Sequence, residues 1–257
     1  GIATRAALMP FHAWLPEAHA AAPHGVSALL SGAMVKVSFI AMWRVLTVFG
    51  TDLYGTVFLW LGTIMAMVAV IRALAQSDAK KLLAWHTISQ MGYIVAAFGA
   101  GTPASQGAAV YYVIAHALFK ALLFLAVGAA LYAGVDRNVY RAGGVARVSP
   151  LLFVLFLVGA LAISGVPPLN GFAAKKLVLK AFGPEAGAAH MLLWMTSIGT
   201  SASFIKLSAI FRRRAPRGGA PHGSGRGAAP QRAAIVPKPV QRRIPAVMYT
   251  AAGIPAL

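Results

Sequence analysis

The 257-residue chain is 59% hydrophobic and 11% charged and contains no cysteine, whereas soluble domains are about 45–50% apolar and about 25% charged; an ordinary soluble globular domain is excluded. Without cysteine there is no disulfide, no thiolate metal or iron–sulfur ligation and no cysteine redox centre. Lys and Arg number 23 against 5 Asp and Glu, a formal charge of +18, yet nine of the basic residues follow Phe211 and most others flank apolar blocks, which argues against a nucleic-acid binder.

The chain opens on an apolar stretch, Gly1 to Leu8, followed by Pro10-Phe11-His12-Ala13-Trp14-Leu15-Pro16-Glu17-Ala18-His19, rich in breakers and aromatic anchors. Residues 1–25 therefore read as the end of a truncated broken helix and a loop. Six apolar spans follow: Val26 to Phe49, Leu53 to Ala75, Leu82 to Ala100, Ala108 to Ala133, Pro150 to Phe182 and His190 to Phe211. Most match one helix crossing a hydrocarbon core of about 30 Å. The fifth is too long, and Gly165, Pro167, Pro168 and Gly171 cannot continue a regular helix, so a discontinuous helix broken at 164–171 is expected inside a six-span region, 26–211. A basic Gly/Pro/Ala-rich connector covers 212–243, and 244–257 reads as the start of a truncated transmembrane helix. Both ends read as cut, so a fragment is expected.

Basic residues collect on alternate loops: Arg72, Lys80 and Lys81; Arg137, Arg141 and Arg147; Arg212 to Arg214. The intervening loops hold Asp52, an uncharged stretch and Glu185. The positive-inside bias then puts the basic loops and the tail in the cytoplasm, of a bacterial-type plasma membrane, with the first complete span running outward.

Ionisable groups inside spans cost about 2.5–3.5 kcal/mol each on insertion scales and point to function. Lys36 lies about ten residues from either end of its span. His116 and Lys120, spaced i, i+4, share one helix face, where an imidazole and a desolvated amine can pass a proton. Lys175 follows the helix break, and broken helices at membrane depth mark hydrated paths. Lys176 and Lys180 read as snorkelling to an interface, and Lys206 as an anchor. The spacing of His12 and His19 is no metal signature, and no metal site is expected. His24 and His86 lie near span ends, as interfacial histidines or as waystations. No phosphate loop, nucleophile elbow or close carboxylate pair occurs, so the chemistry on offer is proton movement.

The stretches Arg5-Ala6-Ala7-Leu8-Met9-Pro10-Phe11-His12-Ala13-Trp14-Leu15-Pro16-Glu17-Ala18-His19, Val26-Ser27-Ala28-Leu29-Leu30-Ser31-Gly32 with Lys36, Ile88-Ser89-Gln90-Met91-Gly92-Tyr93, His116-Ala117-Leu118-Phe119-Lys120 and Gly165-Val166-Pro167-Pro168-Leu169-Asn170-Gly171-Phe172 with Lys175 recur in order. Together they resemble the antiporter-like proton-translocating membrane subunits. That family includes large membrane subunits of NADH-quinone oxidoreductase (complex I), Mrp-type sodium/proton antiporters, energy-converting hydrogenases and formate hydrogenlyase. The resemblance implies an all-α polytopic transmembrane bundle, the second inverted repeat of an antiporter-like fold, covering about half of a normal subunit.

The resemblance further implies a mid-membrane proton path through Lys36, His116, Lys120 and Lys175, with Arg5, His12, His19 and His86 in the path or modulating it. Arg5 stands where the family usually has a lysine, and a guanidinium holds its proton. The implied function is that of a non-catalytic subunit of a redox-driven complex. It carries no cofactor of its own, and its partners are other membrane subunits, the lipid bilayer and protons or sodium. The alternatives are a Mrp-type sodium/proton antiporter subunit without a redox partner, and a non-functional truncated product.

Overall fold

The computed structural model describes residues 1–49, 54–142, 149–182 and 187–212. The basic loop residue Arg147, the acidic loop residues Asp52 and Glu185, and the expected segments beyond Arg212 lie outside these. The described residues are helical: α1 (Ile2–Arg5), α2 (Trp14–Ala21), α3 (His24–Leu29), a π-helical turn (Leu30–Met34), α4 (Val35–Phe49), α5 (Gly55–Ala75), α6 (Ala79–Gly99), α7 (Pro103–Tyr132), α8 (Pro150–Ser164), α9 (Asn170–Lys180), α10 (Gly187–Leu207) and α11 (Ala209–Arg212). The first segment differs from expectation, since Trp14–Ala21 is a helix rather than loop. Trp14 donates from its indole nitrogen to the Thr4 carbonyl at 2.8 Å, and Leu15, Pro16 and His19 are buried.

By length and apolar composition, three described helical stretches suffice to cross a membrane: His24–Val48, Gly55–Ala75 and Pro103–Tyr132. Six were expected. The 21-residue helices α6 and α10 have the length of a span at about 1.5 Å per residue, but polar residues turned into the protein lower their hydropathy. In α6 these are His86, Thr87, Ser89 and Gln90, all fully buried. Helix α6 is the axis of the bundle: from Leu82 to Gly99 every residue but Trp85 is buried, and α2, α5, α7, α9 and α10 pack around it. The outward faces are apolar, with Val57, Ile64, Ile71, Ile114, Leu118, Trp194 and Ile205 exposed. A bundle polar inside and apolar outside is the arrangement a bilayer requires.

Small residues bring α5 and α6 together. A Cβ on Gly92 would stand 2.6 Å from the Ala66 amide nitrogen and 2.6 Å from the Gly62 carbonyl, so the two backbones approach as closely as glycine allows, the usual mode of helix association in membranes. Ser89 adds a hydrogen bond across the seam, donating to the Ala66 carbonyl at 3.0 Å.

Helix ends follow local chemistry. Asp78 caps α6 by accepting from the Lys80 and Lys81 amides at 2.8 and 3.2 Å, and pairs with Arg137 at 2.8 Å. Thr102 caps α7 ahead of Pro103. The break between α8 and α9 spans Gly165 to Leu169. Gly165 is left-handed (φ 83°) and ends α8 with the Val166 amide bonded to the Leu161 carbonyl at 3.0 Å, the helix stop that favours glycine. A side chain on Gly171 would collide with the Ala162 carbonyl, so glycine lets the two half-helices approach closely here. Pro167 and Pro168 lie exposed between them.

Candidate functional site

The π turn prepares the first position. Within it the Val35 amide reaches back five residues to the Leu30 carbonyl, and the Ser31 carbonyl, whose α-helical donor would have been Val35, accepts from Lys36 Nζ. Lys36 is 2% exposed. The Ser31 hydroxyl pairs with Thr87 Oγ1 at 2.8 Å. Thr87 also donates to the Leu83 carbonyl at 3.3 Å, and the same carbonyl accepts from Lys120 Nζ at 2.5 Å. Lys36 thus donates to the Ser31 carbonyl, and the separate Ser31 hydroxyl leads through Thr87 to the Leu83 carbonyl of α6, on which Lys120 of α7 also donates; both carbonyls only accept, so these contacts position the two amines rather than join them.

Lys120 is wholly buried, its ammonium 5.5 Å from the Phe124 ring centre. His116, one turn earlier on the same face, is also fully buried, and neither ring nitrogen has a hydrogen-bonding partner among the described residues. His19, stacked on Phe124 at 4.7 Å, is likewise buried with both nitrogens unpartnered among the described residues, and feels Lys120, Lys36 and Lys80.

The break builds the second lysine site. Lys175 on α9 reaches back to the Ser164 carbonyl at 3.2 Å, one of the groups freed at the end of α8, and donates to Ser197 Oγ on α10 at 2.7 Å. Its stem runs past Gly165, where an added Cβ would stand 3.0 Å from Lys175 Cδ. The ammonium lies 5.5 Å from the Tyr93 ring centre. An amine at a helix C-terminus completes the orphan carbonyls and favours the dipole.

His86 is fully buried, its ring centre 4.9 Å from that of Phe204, with both nitrogens unpartnered among the described residues. This corrects the expectation of a histidine near the end of its span: the first turn of α6 starts earlier, at Ala79, so position 86 falls well inside the bundle. His24 is half-buried at the start of α3, its Cβ 2.6 Å from where Gly128 would carry a side chain.

Two other cations reach backbone carbonyls. The Lys206 ammonium donates to the Leu74 and Gln76 carbonyls at 2.8 and 2.5 Å, which ties it to the C-terminus of α5. Lys80 is buried and donates to the Ala22 carbonyl at 2.5 Å, while its neighbour Lys81 pairs with Glu17 at 2.6 Å. Arg5 is exposed on α1 and makes no hydrogen bond from its side chain among the described residues. His12 meets Trp85 edge-on at 5.5 Å. The structure therefore buries Lys36, His116, Lys120, Lys175, His19 and His86 and leaves Arg5 exposed. Ser31, Thr87 and Ser197, which bond to or beside these groups, carry no mark in the sequence. Among the described residues no group of three His, Asp or Glu side chains is placed to hold a metal.

A helical bundle that buries amines and imidazoles, carries a broken helix and turns apolar side chains outward defines a multi-pass membrane protein. Residues 1–205 match the family described as "NADH:quinone oxidoreductase/Mrp antiporter, TM", and the chain belongs to that family. Hydrogenase-4 component B of Escherichia coli (strain K12) is 38% identical over 188 residues, 67% of this chain and 28% of that protein. A Na(+)/H(+) antiporter protein of Alkalihalophilus pseudofirmus is 34% identical over 184 residues, 70% of this chain and 37% of the relative. Among solved structures, a chain of the Mrp complex from Dietzia sp. DQ12-45-1b superposes with a TM-score of 0.79 at 31% identity, covering 83% of this chain and 41% of that one. A chain of the membrane-bound sulfane sulfur reductase, an archaeal respiratory membrane complex, gives 0.76 at 29% identity over 82% and 37%. The aligned part of the chain spans 28% and 37% of those two curated relatives. It is an integral, multi-pass membrane protein of the antiporter-like class.

Proposed function

We propose that this chain is a proton-translocating part of a multi-subunit, redox-driven membrane complex such as an NADH-quinone oxidoreductase or a membrane-bound hydrogenase. The observation that carries the reading is the set of three buried amines, Lys36, Lys120 and Lys175, in an interior that also buries His19, His86 and His116, whose ring nitrogens have no partner among the described residues. Three lysines in a protein interior without a carboxylate among their hydrogen-bonding partners are costly unless their charge is used. Each amine can hold a proton at Nζ and release it when a neighbour becomes charged, and each histidine can take a proton at one ring nitrogen and yield it from the other. Imidazole nitrogens buried without protein partners call for water, and water is the carrier such a relay needs.

Partner subunits would hold the redox groups, and this chain would take no part in the electron chemistry. The basic ends at Arg72, Lys80 and Lys81 and at Arg137 and Arg141 would face the cytoplasm of a bacterial-type plasma membrane. There Lys80, in electrostatic reach of His19, would form the entry to the relay.

The test is proton pumping by the whole complex in vesicles with Lys120→Ala, Lys175→Ala and Lys175→Arg. A lower proton-to-electron ratio in all three is expected, because an arginine keeps the charge and still cannot release its proton. An unchanged ratio in the lysine-to-alanine variants overturns the relay. A second reading, a component of a sodium/proton antiporter without a redox partner, is supported by the likeness to the Mrp complex structure. It requires exchange that responds to an imposed sodium gradient with no reductant present.

A further inference from the structure

Lys120 and Phe124 stand one turn apart on the face of α7 that also carries His116, the i, i+4 spacing that brings two helical side chains together. The Lys120 ammonium lies over the Phe124 ring, 5.5 Å from its centre, and His19 of α2 stacks on the same ring at an interplanar angle of 21°. All three side chains are buried, His19 and Lys120 completely. One phenyl ring therefore meets two protonatable groups from two different helices. The second buried lysine repeats the pattern, with the Lys175 ammonium 5.5 Å from the ring centre of Tyr93.

The usual partner of a buried ammonium is a carboxylate, and the helices that enclose Lys120 contain none: no Asp or Glu of this chain falls within α3 to α11. Glu17, two residues from His19 on α2, is turned outward, 70% exposed and paired with Lys81. The Leu83 carbonyl accepts from Lys120, whose ammonium has three N–H groups to place. An aromatic face is the negative part of the ring quadrupole and attracts a cation within about 6 Å of its centre, most strongly where water is excluded. We infer that Phe124 is the charge partner of Lys120 and His19, a positioning residue whose ring holds the positive charge on whichever of the two carries the proton. The charge partnership rests on this geometry, and its use in transport rests on the relay proposed above. Because both groups share one ring, a proton transferred between α2 and α7 stays beside the same electrostatic partner, and a neutral ring does not trap it as a carboxylate would.

The experiment uses the intact complex with Phe124 replaced, by stop-codon suppression, with mono-, di- and trifluorophenylalanine, which keep the shape of the ring while draining its face of negative charge. The thermal midpoint is expected to fall with each fluorine, by about 2–4 °C over the series. The same series in Lys120→Met with His19→Gln, where neither group can be charged, is expected to be flat. Fluorines on Phe156, which stacks on Phe211 at 4.5 Å, serve as the packing comparison and should leave the midpoint in place. Should the double variant fail to assemble, Lys120→Met alone must reduce the slope. A flat series at Phe124, or a fall of the same size with and without the two protonatable groups, overturns the assignment. The proton-to-electron ratio is read on the same samples. A ratio that falls with fluorine number ties the ring to transport, whereas an unchanged ratio beside a coupled midpoint overturns the part in transport and leaves the charge partnership standing.

Discussion

Thr87 and Lys120 donate to the same acceptor, the backbone carbonyl of Leu83, at 3.3 and 2.5 Å. One carbonyl on the axial helix therefore positions both the hydroxyl pair and the Lys120 amine. Thr87→Val keeps the shape and removes the hydroxyl. It leaves the Ser31 hydroxyl buried without its side-chain partner, at a cost of about 1–3 kcal/mol, and is expected to lower proton pumping while the complex still assembles. Full pumping in Thr87→Val would show that the hydroxyls serve packing alone.

The seam between α5 and α6 should tolerate no added methyl group. Gly92→Ala places a carbon 2.6 Å from the Ala66 nitrogen, and overpacking of this kind costs about 1–3 kcal/mol. A lower melting temperature of the detergent-solubilised complex is expected. Gly107→Ala, where nothing lies within 4 Å of the new carbon, serves as the neutral comparison.

Lys206 should matter for stability and not for transport. Its ammonium holds the carbonyls of Leu74 and Gln76, so Lys206→Met leaves the end of α5 short of a donor, at about 1–3 kcal/mol. Thermal stability is expected to drop while pumping per assembled complex stays at the wild-type value. A selective loss of pumping would move Lys206 into the ion path.

Asp78 does two jobs, capping α6 and pairing with Arg137. Asp78→Ala should cost about 1 kcal/mol through the cap, whereas Arg137→Gln removes only a half-exposed ion pair worth less than about 1 kcal/mol. A double-mutant cycle on thermal unfolding checks the division, and a coupling well above that bound would reassign the effect to the pair.

Much of this architecture is legible in the sequence because its signals are local. Apolar runs of helical length, the Gly-Val-Pro-Pro-Leu-Asn-Gly break and buried lysines each declare themselves without a partner. The residues that stay hidden are those whose meaning depends on another helix. Ser31 and Thr87 are small hydroxyls in apolar runs, indistinguishable from packing residues until the π turn and α6 meet. Ser197 becomes significant only when α9 crosses α10. Lys80 and Lys206 read as loop and interface cations because the carbonyls they reach, at Ala22 and at Leu74 and Gln76, lie far away in sequence. His86 reads as peripheral when its span is counted from the first apolar residue, whereas the helix begins at its Asp78 cap.

The π turn at Leu30–Met34 has a consequence for sequence change along the first span. A bond that reaches back five residues instead of four accommodates one more residue in the turn, so everything after it is rotated by about 100° relative to an uninterrupted helix. Lys36, Phe39 and Met42, all buried, face inward through that rotation, and exposed Val37 and Ile40 face outward. Deletion of a single residue within 30–34 would remove the extra residue and the turn together and leave Lys36, Phe39 and Met42 facing inward, whereas straightening the turn to α-helix at unchanged length would swing the lysine toward lipid and bring aliphatic side chains into its place.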